Sequence, residues 1–132
     1  PSGSLKPGFV IEDGDICVTK SVNSGFVGTS LDMDLRSINV SRLVVVGFFT
    51  NMCVETTVRM AGNMGYDTYL VPDGCATTNR IGIDGSDYDP EVVHAMTVAN
   101  LHGEFCTAIK PSEAIALLNA DDARLSRVQG NE

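Results

Sequence analysis

Apolar and polar positions along this chain switch between two periods. Leu43 to Phe49 is a continuous apolar run that predicts a buried strand. A short polar turn follows, and then Val54, Val58 and Ala61 fall at helical spacing, with Gly65 placed to end that helix at its C′ position. Upstream, Ile16 to Thr19 predicts a short strand ending at Lys20. Leu31, Leu35 and Ile38 recur at i, i+4 and i+7, which predicts a helix opened by Thr29 or Ser30.

Downstream, Thr68 to Val71 predicts a strand closed by Pro72-Asp73-Gly74. A polar, glycine-rich stretch from Thr77 to Tyr88 predicts a loop that is mobile or contacts another subunit. Asp89-Pro90-Glu91 combines a cap, proline at the first helical position and an acid in the first turn, so a helix should start there and end near Gly103. Phe105 to Ile109 predicts another strand, and Pro111-Ser112-Glu113 opens a last helix. The polar, charged tail from 120 to 132 is expected to fray.

Strands alternating with helices imply an α/β fold with a mainly parallel sheet covered on both faces. Ligands of such sheets bind beyond the carboxyl ends of the strands. Lys20 and Cys53 each fall at that end of a predicted strand, so one rim gathers two complementary groups. Cys53 also falls in the first turn of its helix. Unpaired N–H groups there favour a thiolate and can hold a developing oxyanion.

The 132 residues suit one domain, 1–132, and 43% hydrophobic with 20% charged residues is ordinary for a soluble globular chain. A net charge of −8 argues against nucleic acid and anionic membranes as partners. No apolar run approaches the roughly 20 residues that span a bilayer, and no signal-peptide pattern is seen. Cys17, Cys53, Cys75 and Cys106 show no C-x-x-C spacing, so neither a metal nor another cofactor is expected. They read as reduced cytoplasmic thiols, with Cys17 and Cys106 buried inside strands. Asp73 reads as a turn residue, His94 as a helix-surface or internally satisfied histidine, and Cys75 as a loop thiol. Glu55 and Arg59 read as an i,i+4 pair.

The motifs resemble the isochorismatase-like cysteine hydrolases, a family that includes nicotinamidases, N-carbamoylsarcosine amidases and ureidoacrylate amidohydrolases. The matching text comprises Val18-Thr19-Lys20, Ser24-Gly25-Phe26, Gly28-Thr29-Ser30-Leu31, Leu43 to Gly47 and Thr50 to Arg59. It continues through Gly65-Tyr66, Val71 to Thr77 and the His94 helix, covering roughly residues 15 to 110. The resemblance implies a Rossmann-like three-layer fold with Cys53 as nucleophile and Lys20 as its lysine partner. It further implies a cis peptide between Phe48 and Phe49, an oxyanion hole made by the backbone N–H groups of Phe49 and Cys53, and a substrate pocket involving Phe26, Phe49 and Asn51. A homo-oligomer is implied as well.

One part of the family pattern has no counterpart. The family's third catalytic residue is an Asp on a first strand, and Asp13 and Asp15 lie on the wrong side of the Ile16 strand to replace it. The sheet is therefore expected to be incomplete on its N-terminal side, as in the C-terminal part of a longer hydrolase whose N-terminal fragment is missing. The function expected is hydrolysis of a small-molecule amide or ureide at its C–N bond through a thioester. The alternatives are vinyl-ether hydrolysis of isochorismate type, or a truncated, non-catalytic binding or oligomer subunit.

Overall fold

The computed structural model describes residues 7–129. In chain order the elements are α1 (Leu31–Ser37), β1 (Arg42–Phe48), a π-helical turn (Thr50–Val54), α2 (Glu55–Asn63) and β2 (Asp67–Ala76). They continue with β3 (Arg80–Ile81), β4 (Asp87–Tyr88), α3 (Pro90–Leu101), β5 (Thr107–Ala108) and α4 (Pro111–Gln129). The main sheet is parallel with β2 in the middle, in the order β1-β2-β5. This is the α/β architecture that the alternating pattern predicts.

Helix boundaries follow local chemistry. The Asp89 carboxylate accepts the Glu91 N–H at 2.9 Å and caps α3, with Pro90 at the first helical position. Gly65 leaves α2 at φ +85°, a left-handed conformation that favours glycine. α2 and the end of the turn before it bury two faces at once. Val54 and Val58 pack with Leu70, Leu101 and Cys106, while Ala61 packs with Phe26 and Tyr66. The second cluster is closed by Leu31 and Leu35 of α1 together with Leu43, Met60 and Met64.

Several expectations need correction. Ile16 to Thr19 forms no strand, and Ile16 and Cys17 are exposed rather than buried. An apolar run becomes a strand only when another strand edge meets its N–H and C=O groups, and none does so among the described residues. The outer edge of β1 likewise carries no strand among those residues, and Val46 on it is 56% exposed.

β2 does not stop at Pro72-Asp73-Gly74. Its register with β1 runs from Arg42↔Asp67 to Val45↔Leu70, breaks, and resumes at Gly47↔Cys75 and Phe48↔Ala76. The extra residues form a bulge in which Pro72, with no N–H to donate, does not interrupt a ladder. Only glycine fits at 74, since a Cβ there would lie 2.6 Å from Val46 Cγ1. Within the stretch expected to be a loop, β3 and β4 pair as an antiparallel hairpin. β5 is shorter than the Phe105–Ile109 strand expected, and α4 continues as helix past residue 120 to Gln129. The expected fraying of 130–132 lies outside the described residues.

Candidate active site

β1 delivers the chain to the rim, and there its geometry changes abruptly. The Phe48–Phe49 peptide is cis, and Phe49 is extended at φ −93° and ψ 144°. The chain then enters the π-helical turn, where the Phe49 carbonyl accepts the N–H groups of Met52 at 3.0 Å and Val54 at 3.3 Å. Cys53 therefore sits in a wide turn ahead of α2, not in the first α-helical turn as expected. It is half-buried.

Lys20 reaches the thiol by a separate route. The segment after it is fastened to the body of the protein: the Gly25 N–H donates to Thr57 Oγ1 of α2 at 3.0 Å, and Thr29 Oγ1 donates to the Gly25 carbonyl at 2.5 Å. Ser24, Gly25 and Phe26 are all buried. Lys20 Nζ then donates to the Val22 carbonyl at 3.0 Å and to Cys53 Sγ at 3.2 Å. Two residues 33 positions apart meet as a thiol–ammonium pair. The contact places a cation within hydrogen-bond distance of the sulfur.

Asn23 also borders the sulfur, its Oδ1 4.0 Å from Sγ. Nothing in the sequence pattern singled it out, because a polar residue in a loop carries no periodic signal. The open side of Cys53 is a cleft of about 200 Å³ lined by Val45, Val46, Gly47, Phe48, Val54 and Thr57. Phe49 is 47% exposed at the rim, where it can meet a ligand. Asn51 accepts a 2.5 Å bond from Thr77 Oγ1 and so is tied to the segment that follows β2. A larger hollow of about 510 Å³ lies at the opposite, amino ends of β1 and β2. It holds no thiol, and its Arg42 is already paired with Asp67 at 2.8 Å and Asp121 at 3.1 Å.

Phe26 does not line the site. It is 8% exposed and stacks on Tyr66 with ring centroids 5.8 Å apart, within the cluster that includes Ala61. The contact anchors the Lys20 segment, so its contribution to the site is indirect. Asp15 accepts the Glu12 N–H at 2.8 Å, and among the described residues no carboxylate pairs with Lys20. Asp73 is exposed. Glu55 and Arg59 form the expected i,i+4 pair at 2.9 Å, with the guanidinium 4.7 Å from the centre of the Phe105 ring.

Two of the other thiols are shifted by burial. Burial pushes the Cys75 thiol up, against a smaller opposing contribution from the Gly47 backbone, and its sulfur donates to the Val71 carbonyl at 3.4 Å. Burial pushes Cys106 up to about 11. Among the described residues neither has a cation partner. Among the described residues no three His, Cys, Asp or Glu side chains are grouped to hold a metal. No described helix is long and apolar enough to cross a membrane. His94, read from sequence as a surface or satisfied histidine, hydrogen bonds through Nδ1 to the fully buried Thr50 Oγ1 at 2.9 Å.

Residues 1–107 match the isochorismatase domain model. The chain belongs to the isochorismatase family. An uncharacterised isochorismatase family protein of Bacillus subtilis is 38% identical over 103 residues, covering 78% of this chain and 55% of that protein. The ureidoacrylate amidohydrolase RutB of Rhizobium rhizogenes is 31% identical over 115 residues, covering 78% of this chain and 43% of that enzyme. A crystal structure of an isochorismatase-family putative hydrolase from Chromobacterium violaceum superimposes with a TM-score of 0.83 at 38% identity. That match covers 89% of this chain and 61% of the other. This isochorismatase-family chain thus spans about half the length of the curated relatives it matches.

Proposed function

We propose that this isochorismatase-family protein is a cysteine-dependent hydrolase that cleaves the C–N bond of a small amide or ureide. The observation that carries the reading is the 3.2 Å contact between Lys20 Nζ and Cys53 Sγ at the carboxyl end of the sheet. The thiolate adds to the substrate carbonyl, whose π pair moves to oxygen. Backbone N–H groups of Phe49 and Cys53 hold that oxygen as charge develops. Collapse of the adduct breaks the C–N bond, the amine leaves with a proton given by an acid from outside the described residues, and water then hydrolyses the thioester to the acid.

Relatives named as ureidoacrylate amidohydrolases and a nicotinamidase support an amide-type bond. Self-association belongs to the same proposal and is supported by α3, which leaves Val92 54% and Met96 60% exposed. A second reading is a binding subunit without turnover, favoured by the lack of a carboxylate paired with Lys20 among the described residues. Ammonia release from a panel of small ureides and carboxamides separates the two. Hydrolysis abolished by Cys53→Ala supports the enzyme, and turnover retained in that variant sinks it.

A further inference from the structure

The oxyanion site of the proposed reaction needs two N–H groups at a fixed separation, on Phe49 and Cys53. Three residues, Thr50, Asn51 and Met52, lie between them, and their conformation alone sets where the two donors point relative to each other. Each of the three is fastened from outside the turn. Thr56 Oγ1 of α2 donates to the Met52 carbonyl at 2.7 Å. Thr77 Oγ1, beyond the β2 bulge, donates to Asn51 Oδ1 at 2.5 Å. His94 of α3, 44 residues away in sequence, bonds Thr50 Oγ1 at 2.9 Å through Nδ1.

The Thr50 contact differs from the others in its surroundings. Thr50 is 0% exposed, so without His94 its hydroxyl would have no water to turn to. A π-helical turn is also an uncommon geometry whose hydrogen bonds alone specify it weakly. We propose that His94 is a positioning residue for the oxyanion site, acting through Thr50 to fix the turn on which the Phe49 and Cys53 N–H groups sit. This inference rests on the nucleophile role given to Cys53 above. His94 touches neither the thiol nor Lys20, so removing it should leave the thiol–ammonium pair intact and misplace only the donors.

Two reactions of the same sulfur separate these effects. Iodoacetamide alkylates a thiolate by displacing iodide at a saturated carbon, and no oxyanion forms. p-Nitrophenyl acetate reacts by thiolate addition to the carbonyl. Its π pair moves to oxygen, then returns to expel p-nitrophenolate and leave an acetyl thioester on Cys53. Both rates are read on the Cys53 peptide by mass spectrometry in the whole protein, with exposed Cys17 as internal reference.

His94→Ala and Thr50→Val should each slow acylation of Cys53 about tenfold, the worth of one well-placed hydrogen bond. Alkylation should stay within about twofold of the parent rate. The double variant should be no slower than either single one, because both remove the same contact. His94→Gln, whose side-chain amide can still bond the hydroxyl, should recover most of the acylation rate. Acylation indifferent to His94, or acylation and alkylation falling together, would overturn the positioning role. Parent Cys53 acylated no faster than Cys17 would instead overturn the nucleophile assignment and the inference with it.

Discussion

The bond from the Gly25 N–H to Thr57 Oγ1 joins the Lys20 segment to the helix that follows Cys53, and its removal has a calculable cost. Thr57→Val keeps the β-branched shape and replaces the hydroxyl with a methyl. Gly25 is buried, so its N–H is left without an acceptor. A buried donor stranded in this way costs about 1–3 kcal/mol, more than the net worth of the bond itself. Close packing adds to the penalty: a Cβ at Gly25 would meet Thr57 Oγ1 at 3.6 Å, so the added methyl sits against the glycine with no room for a bridging water. Thr57→Ser keeps the acceptor and loses one methyl, worth about 0.5–1.5 kcal/mol.

Urea unfolding of the three proteins tests the difference. Thr57→Val should lower the midpoint at unchanged slope and be less stable than Thr57→Ser. Alkylation of Cys53 should slow in the valine variant, because Lys20 is held near the sulfur by this anchored segment. A valine variant as stable as the parent, or a serine variant that is worse, would refute the reasoning.

Two further outcomes are expected. Lys20→Met should slow alkylation of Cys53 by about tenfold and leave that of Cys17 unchanged, since Cys53 is the thiol with Lys20 Nζ at 3.2 Å; equal rates in parent and variant would mean the contact does not activate the sulfur. Cys106, 7% exposed and pushed up to about 11 from 9.0 by burial, resists ionisation in the folded protein more than in the unfolded chain. Its contribution to stability is complete below pH 9 and is lost as pH rises through about 11. The parent should lose at most about 2–3 kcal/mol more than Cys106→Ala over that interval in unfolding titrations, and parallel curves would contradict the assignment.

Local signals predicted what local interactions decide. β1, the start of α3 at Asp89-Pro90-Glu91 and the end of α2 at Gly65 each depend on residues within a few positions, and each was legible. The meeting of Lys20 with Cys53 was legible through the family resemblance, whereas the strand-end argument for it fails because Ile16 to Thr19 forms no strand. What failed depended on distant partners. Ile16 to Thr19 has the composition of a strand, yet composition supplies no neighbouring edge. Pro72-Asp73-Gly74 has turn chemistry, but Gly74 is required by Val46 across the sheet and the strand continues past it. Phe26 sits beside the Lys20 segment in sequence, and only the packing of Tyr66 and Ala61 shows that it faces the core. The contacts of Asn23 and His94 at the site span 30 and 44 residues and leave no periodic trace.

The geometry around Cys53 also orders the substrates it can handle. A thiolate and two backbone donors are sufficient to form the tetrahedral adduct, and an ester with a good leaving group then collapses without help. An amide is different, because its nitrogen must gain a proton before the C–N bond breaks. Lys20 is poorly placed to give it: two of the three protons on Nζ are directed at the Val22 carbonyl and the sulfur. No carboxylate pairs with that lysine among the described residues to return a proton to it. On the function proposed above, the described residues would supply the acylating half of an amidase. Amide turnover should depend on an acid brought to the sulfur from outside them, whereas acylation by an activated ester should not. A protein sample that acylates readily from p-nitrophenyl acetate and stays inert toward carboxamides would have its nucleophile, oxyanion donors and lysine in place. What it would lack is the proton donor alone.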